Sequence, residues 1–221
     1  MEAGIDEAGR GPVLGPLVVA GVAVPDAQVL VDLGCKDSKR LTPARRVRLA
    51  RLIEDLPDAT IHVETIEPAD LDAEMAQGSL NEVVLRRFQS TAAVLGAERT
   101  VVDAADVDAA RFGSRIAQAL PKGAVVVSEH QADDHHAVVA AASIIAKVRR
   151  DSALDELARR LERRLPMELG SGYPSDPKTV AFLAAWMERF GGLPPGTRRR
   201  WKTAQRLLDD RHLRPTRLGD F

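Results

Sequence analysis

Two short apolar runs rich in β-branched residues open the chain, and they constrain its fold most strongly. They are Met1 to Ala8 and Leu17 to Val24, and three glycines and two prolines lie between them in residues 9–16. Runs of this kind predict strands, and glycine with proline predicts a turn-rich connection. A third run, Thr60 to Ile66, alternates well enough to be another strand. The chain is therefore predicted to begin as a three-stranded meander.

Strand and helix patterns alternate after this meander. Thr100 to Asp103 and Ala124 to Ser128 are predicted strands, and the segment from about Asp108 to Leu120 between them is a predicted helix. Such alternation is typical of parallel strands joined by a helical crossover. The sequence thus predicts an α/β fold with a mixed five-stranded sheet flanked by helices.

Further segments have helical patterns: Pro43 to about Leu56, Ser79 to Leu95, Ala137 to Arg164, Lys178 to Phe190, and one after Pro194-Pro195-Gly196. In the first of these, Thr42 is a suitable cap, and the spacing places Val47, Leu49, Leu52 and Ile53 on the inner face. The long third segment is expected to be broken or bent near Arg150-Asp151.

The character of the sequence changes near Pro166. Residues 170–177 read Gly-Ser-Gly-Tyr-Pro-Ser-Asp-Pro, which predicts a loop. At 221 residues and 45% hydrophobic content, the chain can bury one sizeable core plus an appendage. We expect a main domain of residues 1–166 and a helical C-terminal region of residues 167–221.

Composition excludes several classes of protein. The longest early apolar run is far shorter than the roughly 18 residues that span a bilayer, and acidic residues precede it where a signal peptide would be basic. A single cysteine, Cys35, excludes an internal disulfide and a cysteine-only zinc site. We expect a monomer in the reducing cytoplasm with no membrane contact.

The charge is balanced in sum but not in distribution. The formal net charge is −1, yet basic residues crowd the last third of the chain, at Arg159-Arg160, Arg163-Arg164, Arg198-Arg199-Arg200 and Arg206 to Arg217. Such runs are usually solvated helix faces. They also fit a protein that holds phosphates with one region and metal ions with another.

Acidic residues stand where predicted strands end. Asp6 and Glu7 precede Gly9, Arg10 and Gly11, a combination that suits chemistry on phosphate because carboxylates bind Mg²⁺ or Mn²⁺, glycine permits close approach and arginine pairs with phosphate. A solvated turn explains the same residues. If both acids serve one site, the strand must twist or end there, since neighbouring strand residues face opposite sides.

More acids follow the later strands. Asp103 ends the fourth, and Asp133 and Asp134 follow the fifth. Clustered carboxylates raise one another's proton affinity unless a cation neutralises them, so this group implies a divalent metal. Zinc is a competing interpretation because His130, His135 and His136 lie beside these acids. Adjacent histidines without a nearby cysteine have poor spacing for zinc.

Several motifs in order resemble type 2 ribonuclease H, the ribonuclease HII family, in its archaeal branch. They are Gly4-Ile5-Asp6-Glu7-Ala8-Gly9-Arg10-Gly11, Lys36-Asp37-Ser38-Lys39, Ala140 to Asp151, Gly172-Tyr173-Pro174-Ser175-Asp176 and Arg200-Trp201-Lys202. The resemblance implies a ribonuclease H-like fold and two Mg²⁺ or Mn²⁺ ions held by Asp6, Glu7, Asp103 and Asp133. The resemblance favours Asp133 over Asp134, because Asp133 follows an alanine and stands ten residues before Ser143 in the sequence. The chain departs from the family at His136 and Ala137, where an aromatic residue and a proline are common.

The resemblance also implies a substrate. Gly9, Arg10, Gly11 and Tyr173 would recognise the 2′-hydroxyl where a ribonucleotide meets DNA, and Lys36, Lys39, Ser143 and Lys147 would lie along the phosphate backbone. The implied activity is cleavage of the RNA strand of RNA-DNA hybrids, and cleavage 5′ of ribonucleotides embedded in duplex DNA, leaving 3′-hydroxyl and 5′-phosphate ends.

The same residues are compatible with two other functions and with one protein partner. The rivals are a hybrid-binding protein without catalysis and a metal-dependent nuclease of the same fold that acts on a DNA junction. The terminal residues Arg217 to Phe221 end in an aromatic residue, which fits either a docking peptide for a sliding clamp or an ordinary frayed terminus.

Overall fold

The computed structural model describes residues 1–35 and 41–212, and side chains as far as residue 210. Lys36, Lys39 and the proposed docking peptide at residues 217–221 lie outside this part. The described strands are β1 (Glu2–Ala8), β2 (Leu17–Val24), β3 (Thr60–Ile66), β4 (Arg99–Asp103) and β5 (Val125–Glu129). The described helices are α1 (Gln28–Asp32), α2 (Pro43–Glu54), α3 (Pro68–Glu74), α4 (Leu80–Leu95), α5 (Ala109–Ala117), α6 (Ala132–His135), α7 (Ala137–Glu162), α8 (Pro177–Phe190) and α9 (Lys202–His212).

The strands form one mixed sheet in the order β3-β2-β1-β4-β5. β1 pairs antiparallel with β2 and parallel with β4, and β5 continues the parallel half. The predicted meander and helical crossover are therefore confirmed. β1 lies at the centre, where its carboxyl end adjoins that of β4.

Helices cover both faces of the sheet. α7 packs on one face and comes so close to β1 that a Cβ on Gly4 would lie 2.2 Å from the carbonyl carbon of Val138. No side chain fits in that space, so a glycine is required. α4 and α5 cover the opposite face, where Phe88 meets Phe112 edge to face. The sheet is buried between two apolar layers.

Helix α7 is unbroken, and the expected bend near Arg150-Asp151 is wrong. No glycine or proline occurs between Ala137 and Glu162, so the backbone has no local reason to bend. The polar pair suggested a surface break, but Arg150 is buried and reaches the loop before α8, where its guanidinium donates to the Ser171 carbonyl at 3.0 Å.

The inner face of α2 was predicted only in part. Leu49 and Ile53 are buried as expected, whereas Val47 and Leu52 are 40% and 38% exposed. The caps were predicted correctly: Thr42 accepts from the Arg45 amide, and Ser79 caps α4. The short helices α1, α3 and α6 carry too few residues for a periodic pattern, and the sequence did not indicate them.

The residues after Pro166 pack onto the body of the protein. Phe182 and Trp186 of α8 share a buried cluster with Leu14 and with Leu157 of α7, and Leu14 forms a β-bridge with Thr197. The division at residue 166 stays a prediction, but its two sides are joined by a common core. Across the described ranges, no helix combines the length and apolar character needed to cross a membrane.

Candidate active site

Asp6 and Asp103 lie side by side at the carboxyl ends of the two central parallel strands. Ile5 is in register with Val102, so the next residue on each strand is one of these two acids. Both side chains face α7, since alternation places Asp6 with Gly4 and Asp103 with Val101 on that face of the sheet. The expectation that these carboxylates would meet is supported by their electrostatic interaction.

Glu7 is offset from Asp6 by strand alternation, yet it lies near the end of β1 and its carboxyl interacts with the charges of Asp6 and Asp103. Its carboxylate is 3.5 Å from the Arg10 guanidinium, which also donates to the Asn81 Oδ1 at 2.6 Å and to the carbonyl of Ala105. Arg10 therefore ties Glu7 to the start of α4 and to the loop after β4. The Asp6 carboxylate turns toward the strand end and accepts from the Glu7 amide at 2.7 Å.

The charges of these acids oppose one another. Burial raises the pKa of Asp6 to about 6, and the charge of Asp103 adds to this rise. Burial and the charge of Asp6 raise the pKa of Glu7 to about 8, while Arg10 opposes the rise. Without a cation, these carboxyl groups therefore stay protonated to a higher pH than usual.

Ser143 and Lys147 form a hydrogen-bonded chain behind Asp6. The Ser143 hydroxyl is fully buried and hydrogen-bonds to the Asp6 carboxylate, and the Lys147 Nζ donates to the Ser143 Oγ at 2.7 Å. The Ser143 hydrogen bond and the charge of Lys147 both favour ionised Asp6, because each lowers the pKa of Asp6. The placement of Ser143 favours a role in orienting Asp6.

Asp133 is linked to Asp103 by the backbone amide of the residue that precedes Asp133. The Ala132 amide lies 3.3 Å from the Asp103 Oδ1 and donates to it, and Asp133 is buried whereas Asp134 is exposed. This agrees with the choice of Asp133 over Asp134. The preceding Gln131 has a φ of 59°, which is the sole left-handed non-glycine conformation in the described ranges. That conformation turns the chain sharply from β5 into α6.

The donor set fits magnesium or manganese in chemistry. Carboxylate oxygens are the ligands that these ions prefer, and buried like charges with raised pKa values are what a divalent cation relieves. Within residues 1–35 and 41–210, no three His, Cys, Asp or Glu side chains converge as a set for one ion. Two of the three nearby histidines have other partners: His136 Nε2 is 3.1 Å from Glu129, and His130 Nε2 is 3.3 Å from the Val107 carbonyl.

The Gly9-Arg10-Gly11 loop meets Tyr173 next to this acidic group. Gly9 has a φ of +90°, and a Cβ there would lie 2.7 Å from the Pro16 carbonyl oxygen, so glycine is needed for both conformation and space. A Cβ on Gly11 would lie 3.3 Å from Cε1 of Tyr173, which is 39% exposed. The loop and the ring thus form one surface open to solvent.

Comparison with known proteins identifies the family. A family model described as Ribonuclease HII matches residues 3–204. The chain belongs to the ribonuclease HII family. It is therefore a metal-dependent ribonuclease H, a class of enzyme that acts on RNA-DNA hybrids.

Named relatives agree over nearly the whole chain. The Ribonuclease HII of Methanothrix thermoacetophila is 45% identical over 206 residues, which cover 92% of this chain and 95% of that protein. The crystal structure of the ribonuclease H2 from Pyrococcus horikoshii superposes with a TM-score of 0.87 at 39% identity, covering 96% and 99% of the two chains. A PCNA:RNase HII complex from Archaeoglobus fulgidus superposes with a TM-score of 0.83 at 41% identity, covering 100% of each chain.

Sequence reasoning missed the residues that hold the loop and the ring from behind. Asn81, Arg150 and Arg198 all contact this surface, and the last two are buried. Arg150 lies under the ring, with its Cζ 5.3 Å from the ring centre. Arg198 belongs to a basic run that was interpreted as either a solvated face or a phosphate-holding region, and arginine runs carry no periodic signal that marks one member as buried.

Proposed function

We propose that this ribonuclease HII cuts on the 5′ side of a ribonucleotide embedded in duplex DNA, in addition to cutting RNA-DNA hybrids, and leaves 3′-hydroxyl and 5′-phosphate ends. The observation that carries the proposal is the position of the Gly9–Gly11 loop and Tyr173. They adjoin the strand end that carries Asp6 and Glu7. A surface suited to reading one sugar lies next to a group suited to phosphate chemistry.

Four carboxylates are proposed to hold two divalent ions. Asp6, central in the group, would bridge both ions, Glu7 and Asp103 would complete one site, and Asp133 would serve the other. When bound, Mg²⁺ or Mn²⁺ lowers the pKa of the attacking water and stabilises charge on the leaving oxygen. Ser143 and Lys147 hold the Asp6 carboxylate in position and favour its ionised form.

Recognition is proposed to depend on the 2′-hydroxyl, which both donates and accepts hydrogen bonds. The backbone of Gly9 to Gly11 can approach it closely because two of these residues lack side chains. Tyr173 offers a flat ring against the neighbouring sugar. Lys147, at the acidic group, is proposed to contact the phosphate backbone, and Lys36 and Lys39 are proposed to do so from outside the described residues.

A sliding clamp is a proposed partner. The Archaeoglobus fulgidus neighbour was solved as a PCNA:RNase HII complex, and this chain aligns with all of that protein. The proposed docking segment, residues 217–221, lies outside the described part of the chain. Deleting residues 217–221 should abolish binding to PCNA without changing cleavage of a short duplex. Unchanged binding would remove this segment from the proposal.

Cleavage of three labelled duplexes tests the proposed function. The substrates are a DNA duplex with one ribonucleotide, an all-DNA duplex of the same sequence and an RNA-DNA hybrid, each with Mg²⁺, Mn²⁺ or a chelator. We expect metal-dependent cutting of the first and third only. Cutting of the hybrid alone would remove the recognition role of the loop and Tyr173, and binding without any cutting would favour the binding-protein rival.

A further inference from the structure

Arg198 is the largest fully buried side chain in the described part of the protein. It lies between α8 and α9, and its guanidinium forms hydrogen bonds with the loop between β1 and β2. The Nε donates to the Gly15 carbonyl at 2.9 Å, and the Nη1 donates to the Arg10 carbonyl at 3.2 Å. The Cζ lies 4.8 Å from the centre of the Trp201 ring, which supports the guanidinium from the other side.

This position is costly for an arginine. Burial, and after it the nearby charge of Arg150, lowers the pKa of Arg198 to about 10. The charge of Asp72 opposes the shift, but its carboxylate accepts from the amides of Arg199 and Arg200. Apolar residues usually fill such space at a lower cost. The hydrogen bonds of Arg198 fix the position of the loop between β1 and β2.

Holding the Arg10 carbonyl also fixes the direction of the next amide. The peptide bond is planar and trans, so its C=O and N–H groups point in opposite directions. Since Arg198 draws the Arg10 carbonyl inward, the Gly11 N–H points outward. Gly11 is exposed beside Tyr173, and its amide donates to none of the residues that the structure describes.

Trp201 fixes the following peptide. Its Nε1 donates to the Gly11 carbonyl at 3.1 Å. The two residues of the C-terminal segment therefore hold the carbonyl groups of Arg10 and Gly11, and Arg198 does so from a fully buried position.

We infer that Arg198 is a positioning residue for substrate recognition, which orients the Gly11 N–H toward the 2′-hydroxyl of the ribonucleotide by holding the Arg10 carbonyl. This inference rests on the proposed function. Trp201 assists by supporting the guanidinium and holding the Gly11 carbonyl. The inference explains why a charged side chain is fully buried behind this loop.

The test compares matched variants on two substrates. Arg198→Lys keeps the charge but cannot reach both carbonyls with one planar fork, and Arg164→Lys is its control because Arg164 also stacks on aromatic rings, of Trp186 and Phe190, away from the loop. The readout is the Kd for the all-DNA duplex divided by the Kd for the single-ribonucleotide duplex of the same sequence, both measured in chelator, because these two duplexes differ only in the 2′-hydroxyl. We expect this ratio to fall about 10-fold in Arg198→Lys, the effect of one charge-assisted hydrogen bond, and to stay constant in the control.

The ratio separates positioning from folding, because a smaller folded fraction lowers both apparent affinities equally. Equal losses of affinity for the two duplexes, or an unchanged ratio, would overturn the inference while leaving the proposed function intact. Failure of the wild type to cut the single-ribonucleotide duplex would overturn both. If Arg198→Lys does not fold, Trp201→Phe provides the same test, since it keeps a ring under Arg198 but loses the bond to Gly11. Its control is Trp186→Phe, and a Trp201→Phe ratio equal to the control's would overturn the inference.

Discussion

Replacing Asp6 by asparagine should stabilise the metal-free protein while it abolishes cleavage. Asparagine has the same shape, and its Oδ1 can accept from the Glu7 amide and the Ser143 hydroxyl as the carboxylate does. What is lost is a buried negative charge beside Asp103. The raised pKa values of Asp6 and Glu7 indicate that negative charge at this position destabilises the folded state.

The size of the effect follows from the pKa of Asp6. The Asp6 carboxyl has a pKa of about 6 in the native state, against the ordinary value of 3.8, so it is protonated more readily in the native than in the unfolded state. Its ionisation therefore lowers stability as pH rises from about 4 to 6, by about 3 kcal/mol once complete. Asp6→Asn should raise the free energy of unfolding by about 1 to 3 kcal/mol at pH 8 and change it very little at pH 4. Each kcal/mol should raise Tm by about 2 to 4 °C.

Thermal and urea unfolding in chelator at pH 4, 6 and 8 measure this gain. Asp155→Asn is the control, because Asp155 is an exposed acid on α7. Saturating Mg²⁺ should reverse the order, since the ion stabilises the wild type by binding its native state. A variant that is less stable than the wild type at pH 8 in chelator, or a gain that does not change with pH, would refute the electrostatic account of the site.

Substitutions at three more positions test separate contacts. Gly9→Ala should lower the free energy of unfolding by at least about 1 kcal/mol, because its φ is +90° and a Cβ would crowd a carbonyl oxygen; an unchanged Tm would contradict this. Tyr173→Ala should reduce cleavage at a single ribonucleotide about 10-fold with little change in Tm, whereas Tyr173→Phe should retain most activity; parallel losses of stability and activity would instead indicate a packing role. Lys147→Met should raise the pKa of Asp6 in chelator, measured by carboxyl NMR, because the Lys147 charge lowers it; a similar shift in the control Arg149→Met would remove the specific role of Lys147.

The sheet could be predicted from the sequence because its signals are local. β-branched runs, the glycine and proline punctuation after β1, and the caps Thr42 and Ser79 each act within a few residues. The side-by-side placement of Asp6 and Asp103 followed once the strands were taken as neighbours. Family motifs, rather than periodicity, selected Asp133 over Asp134.

What could not be predicted depends on contacts between distant segments. Arg150 and Asp151 suggested a helix break, yet Arg150 is buried because a loop 21 residues later covers it. Arg198 contacts a carbonyl 188 residues earlier in the chain. Val47 and Leu52 are apolar at helical spacing, but no other element in the described part of the chain buries them, and they stay 40% and 38% exposed. Local patterns carry no information on which segments come together.

The most direct test of the account is to map the cut on an end-labelled DNA duplex that carries one ribonucleotide, with Mg²⁺, for the wild type and Asp6→Asn. The account predicts a single wild-type cut on the 5′ side of the ribonucleotide, with 3′-hydroxyl and 5′-phosphate ends, and no product from the variant at any Mg²⁺ concentration. A cut at another position, or cleavage by Asp6→Asn at a rate near that of the wild type, would contradict it.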